Sequence, residues 1–545
     1  MELVDSLKKV FKGEVLDDYE TLKTYSHDAS LFEVKPKLVV FPKNSDDLEA
    51  LVKFVNEHKA IDPTLSITMR AAGSCMAGGS LNESIIADTT KHMNTVRDVS
   101  AGGTKVEPGI FYRDFEKKTL ESHLILPCYT ASKNLCALGG MIANNCAGEK
   151  TLRYGKMENF VTRSKYIFSD GKAYDVKPLS KAELDTKMAQ GDFEGDLYKK
   201  IYNLIINNEQ VIREGKPNVS KNSAGYYLWN IWDGVTFDLN RLLTGAQGTL
   251  GIMTEAEVRL VPVEKASELF VIFLHDLTHL AKLVNVILPT NPDSIESYDD
   301  ATMKLAIRFF PEMLKTMKPK HFLSLVLSFI PELFMMMKGG IPKLILLVEY
   351  SGKTKGELDI KITDLANRVH PFKLVSRKTL SEEESSKYWT VRRESFNLLR
   401  KHVHGSRTAP FVDDVVVRPE HMPEFLPKMR AILDEYKLNY TIAGHAGNGN
   451  FHIIPLMNMK DKRNVMVIKE VGEKVYSLVA EYKGSITGEH NDGIVRTPYL
   501  HKMYSQEILN LFKQVKDIFD PKNIFNPGKK VDGSIAYLES HIATE

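Results

Sequence analysis

Three small-residue segments in the first half of the chain restrict what it can fold into. The first runs Arg70-Ala71-Ala72-Gly73-Ser74 and on to Gly78-Gly79-Ser80. The second is Leu138-Gly139-Gly140, continuing through Asn144 to Gly148, with Pro127 ahead of it. The third holds Gly245, Gly248, Gly251 and Ile252. Each alone reads as a tight turn. Together they let backbone N–H groups approach a long, phosphate-bearing cofactor without side-chain obstruction. The first follows a β-α-β start. Leu38–Phe41 reads as a strand, and Asp46–Lys59 as a helix capped by Ser45 with Leu48, Leu51, Val52 and Val55 on one face. Leu65–Met69 reads as the next strand, so residues 70–80 fall at a strand's carboxyl end. The loop is not Gly-x-Gly-x-x-Gly and no helix follows it, which argues against a Rossmann NAD site.

The second half carries its own constellation. His445-Ala446-Gly447-Asn448-Gly449-Asn450-Phe451-His452 reads as a Gly-rich turn running into a strand. Gly488-Glu489-His490-Asn491-Asp492-Gly493 is a second Gly-bounded turn, after a strand expected at Ser485–Thr487. Two imidazoles and a carboxylate, His445, His452 and Glu489, suit a divalent metal with open positions. His490 remains for proton transfer.

With 72 basic and 70 acidic residues spread along the chain, the net charge of +2 gives no basic stripe and argues against nucleic-acid binding. The four cysteines, Cys75, Cys128, Cys136 and Cys146, form no Cys-x-x-Cys pair, against zinc ribbons and iron–sulphur clusters. The N-terminus has no basic-then-apolar signal segment, so a cytoplasmic location is expected. The apolar run Phe322–Met336, broken by Pro331 and Glu332, is too short to span a bilayer. It is expected to be a buried cap helix, with peripheral docking on the inner face of a membrane as the alternative.

The three glycine-rich segments resemble the FAD-binding segments of the vanillyl-alcohol-oxidase/PCMH flavoprotein superfamily. The two His/Glu motifs and the terminal Phe519-Asp520-Pro521 with Phe525-Asn526-Pro527-Gly528-Lys529 resemble one branch of it, the FAD-linked 2-hydroxyacid dehydrogenases. That branch includes D-lactate dehydrogenases, glycolate oxidase flavin subunits and D-2-hydroxyglutarate dehydrogenases. The resemblance covers about residues 33–530 and implies an α+β fold. A PCMH-type FAD-binding domain of two α+β subdomains is expected over 33–263, after a helical lead-in at 1–32. A cap or substrate domain, an antiparallel sheet flanked by helices, is expected over 264–505, with 506–545 returning to the FAD domain. Leu269–Leu274 and Leu344–Glu349 are strand-like, Lys355–Arg368 is helical, and Gly484 is the expected C-cap of a helix carrying Val465 to Val479. Residues 181–235 and 300–340 are the least assignable.

The resemblance implies that FAD contacts Arg70, Ala71, Ala72, Gly73, Ser74, Gly78, Gly79, Ser80, Pro127, Leu138, Gly139, Gly140, Asn144, Gly148, Gly245, Gly251, Ile252 and Asn526. The first loop lacks the histidine of covalent members, so the flavin is expected to be non-covalent, although Cys128 and Cys136 lie near. Trp389-Thr390-Val391-Arg392 offers Arg392 to a substrate carboxylate, with Arg393 as a rival. A lysine that reads a distal carboxylate in the 2-hydroxyglutarate members aligns near Val412, which leans towards lactate-like substrates. Asn448 stands where the branch usually has Asp, and Asn491 where Gly is commoner.

The expected reaction is oxidation of a small 2-hydroxyacid to the 2-oxoacid. Arg392 binds the carboxylate, a zinc, manganese or iron ion acidifies the hydroxyl, His490 takes its proton, and the flavin takes the hydride. A quinone, a cytochrome or an electron-transfer flavoprotein would accept the electrons. Two other readings are an ether-lipid (alkylglycerone-phosphate) synthase and a flavin electron-transfer subunit.

Overall fold

A computed structural model describes residues 2–312, 329–402 and 405–544. The architecture is α+β, with three main sheets. The first contains Glu14–Leu16 (β1), Leu38–Phe41 (β2), Ile67–Arg70 (β3) and Ile85–Asp88 (β4), in the order β1-β2-β4-β3. The expected β-α-β start is present, but β4 lies between its two strands, parallel to both. Helix α1 (Ser45–His58) covers the sheet through Leu48, Leu51, Val52 and Val55, all fully buried. Its cap is Asn44, whose side chain accepts the Asp47 N–H, rather than Ser45. The N-terminal stretch is not purely helical, since β1 lies between helices Glu2–Lys8 and Tyr19–Tyr25.

The second sheet is antiparallel. It joins Val96–Ser100 (β5), Gly103–Val106 (β6), Val161–Ile167 (β7), Ala173–Val176 (β8) and Ile252–Val258 (β9) in the order β5-β6-β9-β7-β8. The first part of the second glycine-rich segment forms helix α2 (Leu138–Asn144) rather than a tight turn. The C-terminal segment packs back against the first sheet. Ile67 N–H donates to Ile524 O at 2.7 Å, and Asn526 N–H returns to Ile67 O at 2.9 Å.

The third sheet is built from Ala266–Leu274 (β10), Ser294–Asp299 (β11), Leu344–Gly352 (β12), Val375–Lys378 (β13), Arg407–Thr408 (β14), Val415–Val416 (β15), Asn439–His445 (β16) and Asn450–Met457 (β17). β12 shows why it is central. Leu344, Leu346, Val348 and Tyr350 enter the main core, while Ile345 and Leu347 enter a second cluster with Tyr388 and Trp389. Both faces of the pleat are therefore buried, and the strand reads as a continuous apolar run. Tyr388 and Trp389 lie on helix α3 (Glu382–His402). Helix α4 (Arg463–Glu481) ends with Lys483 in the left-handed region at φ 50°. Gly484 is needed for a different reason, because a Cβ there would meet Val416 O at 2.3 Å.

Residues 181–215 form helices Lys181–Met188, Phe193–Asn207 and Glu209–Gly215. Of the apolar run 322–336, residues 322–328 lie outside the described part, and Ile330–Gly339 is a helix. Among the described residues no helix is long and apolar enough to cross a membrane.

Candidate active site

β16 and β17 form a tight antiparallel hairpin in which His445 faces Asn450 and Ala443 faces His452. Ala443 and His445 are two apart on one strand, so His445 and His452 share a face. Their ring centroids are 5.3 Å apart. A one-turn 3-10 helix, Ala446–Asn448, makes the corner, and Gly449 follows at φ 65°, where a Cβ would strike Val417 O at 1.8 Å. The spacing of the two histidines is thus a consequence of hairpin geometry.

The second motif is the expected turn, but the strand expected before it at 485–487 is absent, since Ser485 makes only an isolated bridge to Val416. Asp414 holds the turn. Its Oδ2 accepts the backbone N–H groups of Glu489 at 2.9 Å and His490 at 2.7 Å, and the Thr487 hydroxyl at 2.6 Å. Glu489 is thereby aimed at the hairpin. Its Oε1 lies 3.4 Å from His445 Nε2, 3.2 Å from His452 Nε2 and 3.9 Å from His490 Nε2. Three imidazole nitrogens thus converge on one carboxylate oxygen.

Every member has a buried partner behind it. His445 Nδ1 is 2.6 Å from Glu296 Oε1 on β11, and the other oxygen of Glu296 pairs with Arg392 of α3. Asp413, fully buried, places Oδ1 3.2 Å from His452 Nδ1 and Oδ2 2.6 Å from His490 Nδ1. Lys221 Nζ lies 3.0 Å from Glu489 Oε2. Burial opposes charge on these groups, but the pairing overcomes it. His452 is pushed up to about 10 by Asp413 and Glu489 despite its burial. His490 is likewise raised, with Asp413 and Asp414 outweighing burial. Glu489 is held well below the usual carboxylate range by Lys221 and His445, again against burial. A field this negative favours a cation, either protons on the rings or a metal ion in their place. His445, His452 and Glu489 have ligand atoms close enough to share one ion, so the donor set fits a divalent metal.

The cluster opens onto a cavity of about 710 Å³. Arg70, Ala71, Ala72, Gly73, Ser74, Gly79, Ser80, Gly139, Gly140, Asn144 and Gly251 line it, together with His445, His452, Glu489, His490 and Arg392. Its size lies within the usual range for cofactor sites, roughly 300–1,000 Å³. Its walls are largely small residues and backbone, which fits the extended FAD molecule. Gly78, Pro127, Leu138, Gly148, Gly245, Ile252 and Asn526 do not line it. At Gly148 a Cβ would meet Tyr129 O at 1.9 Å. Asn526 donates to Gly79 O at 2.9 Å and Gln247 O at 2.7 Å, tying the first loop to the third. Asn491 Nδ2 donates to Gly245 O at 2.8 Å and Asn144 O at 3.3 Å, joining the Glu489–Asn491 turn to the second and third glycine-rich segments.

Arg392 and Arg393 both line the cavity. Arg393 is held by Glu149 in a bidentate pair of 2.8 and 2.6 Å. Arg392 joins Glu296 and stands 3.9 Å from Glu149. Val412 is fully buried in the main core and does not reach the cavity. The residue after α3 that does reach it is Arg407 on β14, with Thr408 beside it. Asp413, Asp414, Glu296 and Lys221 were not singled out in the sequence. An Asp-Asp pair before a Val-Val-Val run was the only hint. Of the cysteines, Cys75, Cys136 and Cys146 line the cavity, while Cys128 is buried against Met157. Burial pushes all four thiols up.

Comparison with known proteins agrees with this geometry. Residues 36–177 match the FAD binding domain family, and residues 263–530 match the family described as FAD linked oxidases, C-terminal domain. The D-2-hydroxyglutarate dehydrogenase of Pantoea ananatis is 26% identical over 530 residues, 95% of this chain and 50% of that protein. The chain therefore spans about half the length of that relative. Two relatives match nearly end to end. Glycolate oxidase subunit GlcD of Bacillus subtilis is 25% identical, covering 97% of this chain and 96% of its own. D-lactate dehydrogenase of Archaeoglobus fulgidus is 24% identical, covering 97% and 99%. A p-cresol methylhydroxylase structure superposes with a TM-score of 0.69 at 15% identity, over 97% of this chain and 96% of that one. With the FAD binding domain match lying over the first two glycine-rich segments and the FAD linked oxidase match over the histidine motifs, the chain belongs to the FAD-linked oxidases of the vanillyl-alcohol-oxidase/PCMH superfamily.

Proposed function

We propose that this chain binds FAD non-covalently and oxidises a small 2-hydroxyacid, D-lactate-like by preference, to the 2-oxoacid. One observation carries the reading: the three flavin segments and the His445/His452/Glu489/His490 cluster face the same cavity, with Arg392 in its wall. His445, His452 and Glu489 would hold a divalent zinc, manganese or iron ion. When bound, FAD supplies the hydride acceptor and the ion supplies Lewis acidity at the substrate hydroxyl.

The remaining work falls to side chains. Arg392 orients the substrate carboxylate, and its own pairing with Glu296 fixes the guanidinium plane. His490 takes the hydroxyl proton on Nε2, the nitrogen turned towards Glu489, while Asp413 holds Nδ1. The loop at 70–80 and the helix and turn at 138–148 exclude water from the reacting carbon. Thiols held protonated by desolvation at Cys75, Cys136 and Cys146 are poor nucleophiles, in keeping with a non-covalent flavin. The electrons would leave to a quinone, a cytochrome or an electron-transfer flavoprotein. Docking at the inner face of a membrane goes with the first of these acceptors.

Arg407 favours a second reading, a 2-hydroxy dicarboxylate, because it adds a cation to the cavity wall on the strand paired with that of His452. Anaerobic flavin bleaching by a panel of D- and L-hydroxyacids tests both. Bleaching by D-lactate with a 2-oxoacid product is expected. Bleaching only by dicarboxylates favours the second reading, and no bleaching by any hydroxyacid refutes both.

A further inference from the structure

Lys221 lies in a segment that resisted assignment from sequence, yet it reaches the centre of the site. The segment after helix Glu209–Gly215 runs along the back of both histidine motifs. The Ser220 hydroxyl donates to Asn448 O at 3.0 Å, Ser223 N–H to Thr487 O at 3.0 Å, and Gly225 N–H to Asp492 at 2.8 Å. Between these ties, Lys221 enters from behind. Its ammonium is fully buried, 3.0 Å from Glu489 Oε2 and 3.3 Å from Asn450 Oδ1. A fully buried ammonium needs a compensating charge, and Glu489 is the carboxylate in contact with it.

The two oxygens of Glu489 are thus divided. Oε1 faces the three imidazoles and Oε2 faces Lys221. We infer that Lys221 restricts Glu489 to a single donor oxygen and draws negative charge away from it, so that the site gives up affinity for its ion and keeps that ion a stronger Lewis acid. The inference rests on the reading that His445, His452 and Glu489 hold a divalent ion.

The surrounding charges make the effect matter. Glu296, Asp413, Asp414 and Glu489 are all buried around the rings, with Arg392, Arg496 and Lys221 as the buried cations among them. Arg392 answers Glu296, and Arg496 donates to the Asp413 carbonyl at 2.7 Å. Removing Lys221 would leave Glu489 as a full, two-oxygen anion towards the metal. Outer partners of metal ligands set their orientation and basicity, and their loss commonly costs about 10–100-fold in metal affinity or activity. A merely structural lysine predicts a loss of metal on removal. A charge-withdrawing lysine predicts a gain.

The test uses the full-length protein loaded with FAD, with zinc and cobalt as the probe ions. Zinc affinity is measured by competition with a chromophoric chelator for wild type, Lys221→Gln and Lys221→Met. Both variants are expected to bind zinc more tightly, by about tenfold or more, while flavin reduction slows. The visible bands of bound cobalt should weaken in both variants as Glu489 adds its second oxygen. Gln keeps a hydrogen-bond donor and Met does not, so equal effects assign the role to charge. Unchanged or weaker zinc binding in both variants would overturn the inference. FAD content reports folding, and if neither variant folds, the cobalt spectrum of the wild type decides. Intense four- or five-coordinate bands agree with one-oxygen ligation, and a weak six-coordinate spectrum refutes it. A wild type that takes up neither ion removes the metal reading itself, and this inference with it.

Discussion

Asp413 Oδ2 lies 2.6 Å from His490 Nδ1, and the same carboxylate reaches His452 Nδ1 with its other oxygen at 3.2 Å. One buried anion thus orients a proposed metal ligand and the proposed base together. Asn at this position keeps the shape but offers only one acceptor to two rings. Asp413→Asn should therefore slow flavin reduction, by about 10–100-fold if it acts as other outer partners of metal sites do. Substrate binding should change little, because neither ring is expected to carry the substrate carboxylate. Stopped-flow reduction at several substrate concentrations separates the two, and a normal reduction rate would show that the carboxylate is dispensable.

Ligand and base make different predictions. His445→Ala, His452→Ala and Glu489→Ala should each lower metal content and activity together. His490→Ala should keep metal and FAD, with flavin reduction slowed by about 10²–10⁴-fold, the usual range for a positioned acid–base group. The loss should appear in kcat more than in substrate binding. Elemental analysis beside stopped-flow kinetics checks this. Metal lost from His490→Ala but kept by His452→Ala would exchange the two roles.

The purified protein should be yellow and should release all its FAD on denaturation. The covalent route would need a reactive side chain at the cavity, and the thiols there are held protonated by burial. Flavin retained on the denatured chain would contradict this. Its loss in Cys75→Ser or Cys136→Ser would identify the attachment.

Lys529 gives a pH dependence that is independent of the proposed metal site. It is 2% exposed and donates to Leu81 O at 2.7 Å, and burial lowers it to about 8 from 10.5. The folded form therefore binds this proton more weakly than the unfolded chain does. The cost to stability is full below pH 8 and fades as pH rises from 8 towards 10.5. At about 1.4 kcal/mol per pKa unit, wild type should gain about 2–3 kcal/mol relative to Lys529→Met between pH 7 and 10. Denaturant melts of both proteins at the two pH values test this, and a constant difference would show that Lys529 does not titrate there.

Local patterns carried the parts of this fold that depend on local physics. The apolar face of Leu48, Leu51, Val52 and Val55 marked α1, and the Gly-rich step between His445 and His452 marked a turn that becomes a hairpin. The cap moved by one residue, to Asn44, because two neighbouring polar side chains compete for the same role. The glycines of 138–148, taken alone, suggested a tight turn, but Leu138, Met141 and Ile142 are buried on one face of a short helix. Tertiary contact overrode propensity there. The partners behind the site were not legible. Lys221 is 268 residues from Glu489, and Glu296 is 149 from His445. No spacing rule connects such pairs.

The position expected to read the far end of a dicarboxylate substrate shows the same limit. Counting along the chain placed Val412 there, but it is buried in the core, and Arg407 on β14 lines the cavity. β14 pairs with β17 through Thr408 and Leu456, so Arg407 approaches from the strand beside the one that carries His452 and Ile454. Its guanidinium already donates to Leu31 O at 2.7 Å, which fixes its direction. A monocarboxylate such as lactate ends in a methyl group and gains nothing from a cation at that end. A dicarboxylate gains a charge-assisted pair, worth about 1.5–3 kcal/mol. Arg407→Met should therefore lower kcat/KM for a five-carbon 2-hydroxy dicarboxylate by about 10–100-fold while leaving D-lactate within about threefold. Flavin reduction by both substrates in wild type and variant measures the ratio. Equal loss on both substrates would mean that Arg407 shapes the cavity rather than reading the second carboxylate.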